Sequence, residues 1–315
     1  MNRIAAVVIT HNSEREIGPC LDALPRGLQV VVVDNASQDG TLAEIVGRSD
    51  VHLIANPWNR GFAAAANQGI AAVDSPCVLL LNPDVELIEG LDSLAAECAQ
   101  PKVAAAGAKL VGRDGRPQKG FMFRRFPTPP ALAFEVLGLN RLWPGNPVNR
   151  RYRCLDADPD LAADVEQPAG ACLMIRRTVW RELGGFDEAF RPVWFEDVDF
   201  LKRAAAAGYR VRFVPSATAK HAGGHSVAQV PSGLRQLYWY GNLLMYAARH
   251  FSRTGRSVVC LALILGSVIR AISETVCSLS LRPVSTYAQV FRLAVVQLLI
   301  TRPEPRIVSS AFGTR

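Results

Sequence analysis

Uninterrupted apolar runs mark the first third of the chain. Ile4–Ile9, Val30–Val33 and Val78–Leu81 contain no polar residue, as expected of strands buried on both faces of a sheet. Val51–Ile54 reads as a further short strand. Glu14–Leu24, Thr41–Val46 and the alanine-rich Phe62–Val73 carry the helical stretches between them. This βαβαβ rhythm predicts an α/β fold with a mainly parallel sheet flanked by helices, and ligands at the carboxyl ends of its strands. Polar residues gather at those ends: Thr10-His11-Asn12, Asp34-Asn35-Ala36-Ser37 and Asn82-Pro83-Asp84.

Between Gly112 and Gln167 the pattern breaks. Pro117, Pro127, Pro129, Pro130, Pro144, Pro147 and Pro159 interrupt a stretch that also holds Arg124, Arg125, Arg150, Arg151 and Arg153. Long loops with short helices over the sheet are expected, forming either a lid or acceptor-binding wall or a surface insertion. The apolar run Ala171–Ile175 follows, then Gly184-Gly185-Phe186-Asp187 and Trp194-Phe195-Glu196-Asp197-Val198-Asp199. Asp187, Glu188, Glu196, Asp197 and Asp199 crowd five carboxylates among aromatics within thirteen positions. Such crowding is costly unless the groups bind a cation, form hydrogen bonds or handle protons. The alternative is that Glu196, Asp197 and Asp199 cap the helix beginning here, at the positive end of its dipole. A strand-like Arg210–Val214 then leads into a polar loop, Lys220–Ser226, with His221 and His225 as candidate ligands.

The tail has its own pattern. Ser257–Ile269, Ala271–Leu281 and Leu293–Ile300 are apolar segments bounded by Arg256, Arg270, Arg282, Arg292 and Arg302. Ser257–Ile269 falls short of the ~20 residues that cross a bilayer. The expectation is helices lying in the membrane interface, with Arg249, Arg253, Arg256 and Arg270 facing anionic lipid. The alternative is an ordinary helical subdomain packed on the sheet.

Charge sharpens this division. The chain of 315 residues carries a net charge of +7. From Arg235 onward there are ten Arg, no Lys and only Glu274 and Glu304 as acids, so 25 of the 35 basic residues face 26 of the 28 acids in the first 234 residues. A nearly neutral body with a basic tail suggests an anionic surface as partner. The seven cysteines form no CxxC pair, which argues against a disulfide framework or structural zinc and suits a reducing cytoplasm. Ile4–Ile9 is too short for a signal-peptide core, so the protein is not expected to be exported.

Motifs narrow the chemistry further. There is no GxGxxG, GxxxxGK[ST] or GxSxG, which disfavours dinucleotide oxidoreductases, P-loop enzymes and α/β-hydrolases. Placed at strand ends, Asp34 can accept from a nucleobase N–H or a ribose hydroxyl, or cap the helix after Gly40. Asp84 suits a hard divalent cation that bridges to phosphates.

In order, Val8-Ile9-Thr10-His11-Asn12, Val32-Val33-Asp34-Asn35-Ala36-Ser37-Gln38-Asp39-Gly40-Thr41, Asn59-Arg60-Gly61-Phe62 with Asn67, Leu81-Asn82-Pro83-Asp84, Gly170-Ala171-Cys172-Leu173, Gly184-Gly185-Phe186-Asp187 and Glu196-Asp197 resemble the family 2 glycosyltransferases of GT-A fold. The likeness is greatest to bacterial rhamnosyltransferase-like members, and it spans roughly residues 4 to 226. The resemblance implies a nucleotide-diphosphate sugar donor, with dTDP-rhamnose first and uridine-diphosphate sugars second. It also implies a divalent cation, magnesium or manganese, and inversion at the anomeric carbon. By position, Thr10, Asn12 and Asp34 correspond to the base and ribose pocket, and Asn59, Arg60 and Asn67 to the neighbourhood of ribose and phosphates. Asp84 matches the last acid of the metal-binding DXD-type motif, Asp197 the general base with Glu196 beside it, and His221 a histidine near metal or diphosphate. Asn82 stands where the first acid of that motif belongs, so the need for metal rests on Asp84, His221 and the donor diphosphate.

The implied organisation is a catalytic domain over 1–234, with a nucleotide-sugar half to about 111 and an acceptor half from 112, and a helical tail over 235–315. The expected acceptor is a saccharide, polyprenyl-diphosphate-linked, and the expected location is cytoplasmic, peripheral on the inner face of the cell membrane. A sugar-1-phosphate nucleotidyltransferase would place a Gly-rich, Arg- and Lys-bearing loop after the first strand, where His11-Asn12-Ser13-Glu14 stands. A nucleic-acid-binding protein using the basic tail is the rival of another class. The Arg residues there alternate with apolar runs instead of clustering on a polar face, so no nucleic-acid partner is expected.

Overall fold

The computed structural model describes residues 4–223 and 230–300. In chain order the elements are β1 (Ile4–Thr10), α1 (Ile17–Asp22), β2 (Gln29–Asp34), α2 (Thr41–Val46), β3 (Val51–Ala55), α3 (Phe62–Ala71), β4 (Cys77–Leu81), β5 (Val85–Glu89), α4 (Leu91–Cys98), β6 (Val103–Val111), β7 (Phe123–Arg124), α5 (Pro129–Val136), α6 (Leu139–Leu142), α7 (Pro147–Tyr152), β8 (Ala163–Asp164), β9 (Gln167–Pro168), β10 (Cys172–Arg176), α8 (Arg177–Glu182), α9 (Glu196–Ala206), β11 (Arg210–His221), α10 (Ser232–His250), α11 (Arg253–Ser278) and α12 (Arg282–Leu299). They form two compact units. The first comprises Met1–Phe126, Arg153–Glu188 and Glu196–Ser226, and the second Pro127–Tyr152, Ala189–Phe195 and Val227–Arg315.

The first unit is built on a nine-stranded sheet of order β3-β2-β1-β4-β10-β6-β11-β5, with β8 paired to β11. Strands β3, β2, β1 and β4 run parallel. Strand β10 is antiparallel to β4 and β6, and β11 is parallel to β6 but antiparallel to β5. Alternate residues serve opposite faces. Ala6, Val8, Val30 and Val32 share a core with Ile17, Cys20 and Leu21 of α1 and Ile45 of α2. The other face of β1 and β2 is covered by α3. There Gly69 comes so close that a Cβ would lie 2.4 Å from Val7 Cγ1 and 3.1 Å from Val33 Cγ2. Burial of both faces is why the interiors of these strands carry no polar residue.

Three local expectations change. Helix α1 starts at Ile17, because Ser13 N donates to Thr41 Oγ1 (2.7 Å) and Glu14 N to Asp39 Oδ2 (3.2 Å), tying residues 13–14 into the loop before α2. Strand β11 does not end at Val214. Pairing with β5 carries it past a register shift between Val214 and Thr218, so His221 ends a strand opposite Val85 rather than lying in a loop. The stretch from Gly112 to Gln167 is divided. Its ends join the first unit, where β7 pairs antiparallel with β9, and Pro127–Tyr152 joins the second. His225 lies outside the described residues.

In the second unit, α11 and α12 pack on one another, and α11 packs on α5. Contact is close enough that a Cβ on Gly266 would sit 2.4 Å from Val136 O. The expected segments Ser257–Ile269 and Ala271–Leu281 fuse into the single 26-residue helix α11. Arg270 does not break it, because its guanidinium donates to Glu135 O (3.2 Å) and Val136 O (3.4 Å). The helix is therefore longer than expected. Among the described residues it is the one helix able to cross a membrane by length and composition alone, and 33 % of its apolar window is buried.

The arginines are also spent differently from expectation. Arg256 is buried and donates to Ile300 O at 2.8 Å, and Arg249 lies 4.8 Å over the Phe190 ring. Of the four expected to face lipid, only Arg253 is exposed. What remains on the surface of α11 is an apolar stripe, Val258, Leu261, Leu265, Val268, Ile272 and Val276, between 42 % and 67 % exposed.

Candidate active site

Two of the residues expected to bind nucleotide meet at the carboxyl ends of β1 and β2, where parallel register sets Thr10 opposite Asp34. Both are buried, and Thr10 Oγ1 has no partner. Asp34 holds its own loop: Oδ1 accepts from Ser37 Oγ (2.5 Å) and Oδ2 from Ser37 N (3.0 Å). Asn12, at φ 50°, locks the two loops together. Its N donates to Ser37 Oγ (2.8 Å), and its Oδ1 accepts from Gln38 N (2.7 Å). Asn59 Oδ1 accepts from Gly61 N at 2.9 Å, shaping the turn into α3. Arg60 and Asn67 line an open cavity of about 440 Å³ with Trp180, Arg181 and Glu188. The Asn67 amide is committed at both ends. Oδ1 accepts from Phe186 N (2.9 Å) and Trp180 Nε1 (3.1 Å), and Nδ2 donates to Phe186 O (2.8 Å) and Glu188 Oε1 (3.1 Å). Asn67 thereby holds the Gly184–Glu188 turn onto α3.

Four of the five crowded carboxylates separate by role. Glu188 is held by Asn67. Asp199 pairs with Arg203, Nε to Oδ2 at 2.8 Å, and Arg203 also donates to Leu183 O (2.7 Å) and Gly185 O (2.8 Å). Glu196 and Asp197 open α9, after Trp194 and Phe195 at φ 82° and 73°, a backbone region strained for residues with a Cβ. Glu196 is 4 % exposed, and its Oε2 has no partner. Burial, then the neighbouring Asp197 charge, pushes its carboxyl well above the usual range. Asp197 is half-buried and reachable from solvent. Burial raises its carboxyl too, opposed by hydrogen bonds from Val198 N and Gly170 N and by the Arg124 charge. Gly170 is needed there, since a Cβ would come within 2.9 Å of Asp197 Oδ2.

Glu196→Gln is expected to raise the melting temperature at neutral pH. The raised carboxyl means that the unfolded chain releases this proton more readily than the folded one, so the charge penalises folding above the ordinary glutamate value of 4.5. The advantage of the amide should vanish as pH falls through that value. Melting curves of both proteins across pH 4–8 check it.

On the opposite side of β10's start, Asn82 N donates to Ala171 O at 3.0 Å. Asp84 follows, and the chain after β11 closes on it: Ala222 N donates to Asp84 O (3.1 Å) and Gly223 N to Asp84 Oδ2 (3.1 Å). His221 Nε2 stands 3.7 Å from Asp84 Oδ2, and both side chains are nearly buried. Burial pushes the imidazole below its usual value, against the pull of Asp84. His221 Nδ1 lies 2.9 Å from Gln118 Oε1, and Phe121 stacks on the ring at 5.0 Å and 8°. A neutral imidazole protonated at Nδ1 presents a lone pair to the carboxylate, which suits two ligands of a divalent cation. Among the described residues no third His, Cys, Asp or Glu joins them, so a cation here would draw its remaining ligands from water or a bound ligand. Sequence reading did not single out Gln118, Phe121 or Arg124 as site residues. Only the proline-broken stretch that holds them hinted at a functional loop.

Comparison with known proteins identifies the family and the fold. The model of "Glycosyl transferase family 2" matches residues 5–180, and that of "Glycosyl transferase family group 2" matches residues 162–301. The N-acetylglucosaminyl-diphospho-decaprenol L-rhamnosyltransferase of Mycobacterium tuberculosis is 29 % identical over 255 residues, covering 75 % of this chain and 80 % of that protein. In fold, the chain is similar to the mannosyltransferase PcManGT of Pyrobaculum calidifontis, solved with GDP-Man and Mn2+ (TM-score 0.54, 19 % identity, 96 % and 88 % of the two chains). It is similar as well to S. aureus TarS, solved with UDP-GlcNAc (TM-score 0.54, 16 % identity, 94 % and 82 %). With the family model matching more than half of its length, and a GT-A sheet carrying carboxylates at the expected strand ends, the chain belongs to glycosyl transferase family 2 and is a glycosyltransferase.

Proposed function

We propose that the enzyme transfers a sugar with inversion, rhamnose from dTDP-rhamnose first, to a polyprenyl-diphosphate-linked saccharide in cell-surface polysaccharide assembly. One observation supports the site assignment: Asp197 and the loop that carries Asp84 both reach the two residues just before β10. Asn82, two before Asp84, bonds to Ala171 O, and Asp197 Oδ2 lies against Gly170. In this reading a proton acceptor and an anion-handling pair serve one site, as single displacement requires.

In this reading Asp197 takes the acceptor hydroxyl proton as its oxygen attacks the anomeric carbon, and the nucleoside diphosphate departs from the other face. General-base assistance of this kind is worth ~10²–10⁴-fold. Asp84 and His221 would hold a divalent cation, which neutralises charge on the leaving diphosphate. Thr10 offers its free hydroxyl to the nucleoside, and the turn built by Asp34, Ser37 and Asn12 shapes that pocket. The preference for rhamnose and a lipid-linked acceptor follows the mycobacterial relative's name. A thermal-shift and hydrolysis screen over nucleotide sugars, with and without magnesium or manganese, tests it. A shift with dTDP-rhamnose is the expected result, and stabilisation by another donor alone replaces that choice.

A lipid-linked acceptor also suits the stripe on α11. We assign this stripe, with exposed Arg253, Arg282 and Arg292, to an anionic membrane surface on the cytoplasmic side. The full chain should co-sediment with anionic liposomes, less so in high salt. The triple variant Leu261→Ser, Leu265→Ser, Ile272→Ser removes about 1–2 kcal/mol of apolar burial per site and should remain largely in the supernatant with an unchanged melting curve. Equal pelleting of parent and variant would refute lipid contact through α11.

A further inference from the structure

We propose that Gln118 is a positioning residue that sets the tautomer and direction of the His221 ring. The inference rests on the reading of Asp84 and His221 as the cation and diphosphate site. Gln118 comes from the proline-broken stretch and is 103 positions from His221 in sequence. Its side-chain amide brackets the histidine twice. Nε2 donates to the main-chain O of His221 at 3.0 Å. Oε1 lies 2.9 Å from Nδ1 of the same residue.

The first contact decides the second. A carbonyl oxygen can only accept, so the Gln118 atom facing it must be the NH2 group. That leaves the amide oxygen facing Nδ1, and an amide oxygen can only accept as well. Nδ1 therefore carries the hydrogen, and in the neutral ring Nε2 carries the lone pair. This Nε2 is the atom 3.7 Å from Asp84 Oδ2. Phe121, three residues beyond Gln118, stacks within 8° of the ring plane and holds its tilt. Gln118 is itself set in place by the local backbone: Gln118 N donates to Leu110 O (2.9 Å) at the end of β6, and Gln118 O accepts from Phe121 N and Met122 N (both 3.0 Å). The arrangement is that of an outer partner orienting a ligating imidazole, whose loss elsewhere costs ~10–100-fold in metal affinity.

Two variants separate this role from simple scaffolding. Gln118→Leu removes both hydrogen bonds at similar volume. Gln118→Glu keeps an oxygen facing Nδ1 but loses the donor to His221 O. Two readouts apply. Long-range 1H–15N spectra of the histidine ring in the metal-free protein report the tautomer, and manganese titration in the presence of dTDP reports affinity. The parent and Gln118→Glu should show hydrogen on Nδ1 of His221 and bind manganese within a few-fold of one another. Gln118→Leu should lose the single tautomer and bind about 10-fold or more weakly, with its melting temperature measured alongside. The proposal is overturned if Gln118→Leu retains the tautomer. It is overturned equally if that variant binds manganese like the parent while His221→Ala does not, or if Gln118→Glu fails in both readouts as fully as Gln118→Leu. Should His221→Ala itself bind manganese like the parent, the cation site is wrong, and the tautomer spectra alone decide the role of Gln118.

Discussion

Asp197→Asn is expected to lower turnover by ~10²-fold or more while donor affinity stays within a few-fold of the parent. The amide matches the carboxylate in shape, and its one oxygen can still accept from Val198 N as Asp197 Oδ1 does. What it cannot do is accept the acceptor's proton. The same residue should set the acid limb of the rate profile. Burial raises the Asp197 carboxyl above its ordinary value of 3.8, and the base works only when ionised. Turnover of the parent should therefore fall as pH drops through a value above the usual aspartate range, and the residual rate of the variant should lack that limb. Glu196 does not substitute for it, being 4 % exposed where Asp197 remains reachable. Near-parental turnover by folded Asp197→Asn would remove Asp197 from the reaction.

Asp84→Ala should weaken donor binding by ~10-fold or more and abolish the response to magnesium or manganese. Removing the carboxylate takes away one of two ligands and also leaves Gly223 N, which donates to Oδ2 at 3.1 Å, without its acceptor. Asp84→Asn separates these effects. Its amide oxygen still accepts from Gly223 N but is a weaker ligand, so it should fold like the parent and yet bind the donor poorly with added cation. Calorimetric donor titrations, with chelator and with added manganese, distinguish the variants. Parental activity that chelator leaves untouched would end the case for a cation and pass the diphosphate to Arg60 and the cationic neighbours of His221.

Periodicity alone placed β1, β2 and β4 within a residue or two, because strands buried on both faces must be apolar through their interiors. The same constraint put Thr10 and Asp34 at strand ends and Asp84 shortly after one, so the residues proposed for the donor side were legible as soon as the strands were. Pattern could not place residues whose position depends on partners far along the chain. His221 read as a loop residue until antiparallel pairing with β5 set it opposite Val85 beside Asp84. Ser257–Ile269 read as a short segment closed by Arg270 until two main-chain carbonyls of α5 took up that guanidinium.

By itself, the sequence determined the α/β class and the family and put forward the candidate carboxylates, since these follow from local burial and from residue types in order. Tertiary structure alone decided which of those carboxylates stay reachable and which arginines remain free for a surface. It also decided that Gln118 and Phe121 flank His221. Hydrogen bonds and desolvation act through space, and a chain written in one dimension holds no record of which distant groups will compete for the same proton or the same carbonyl.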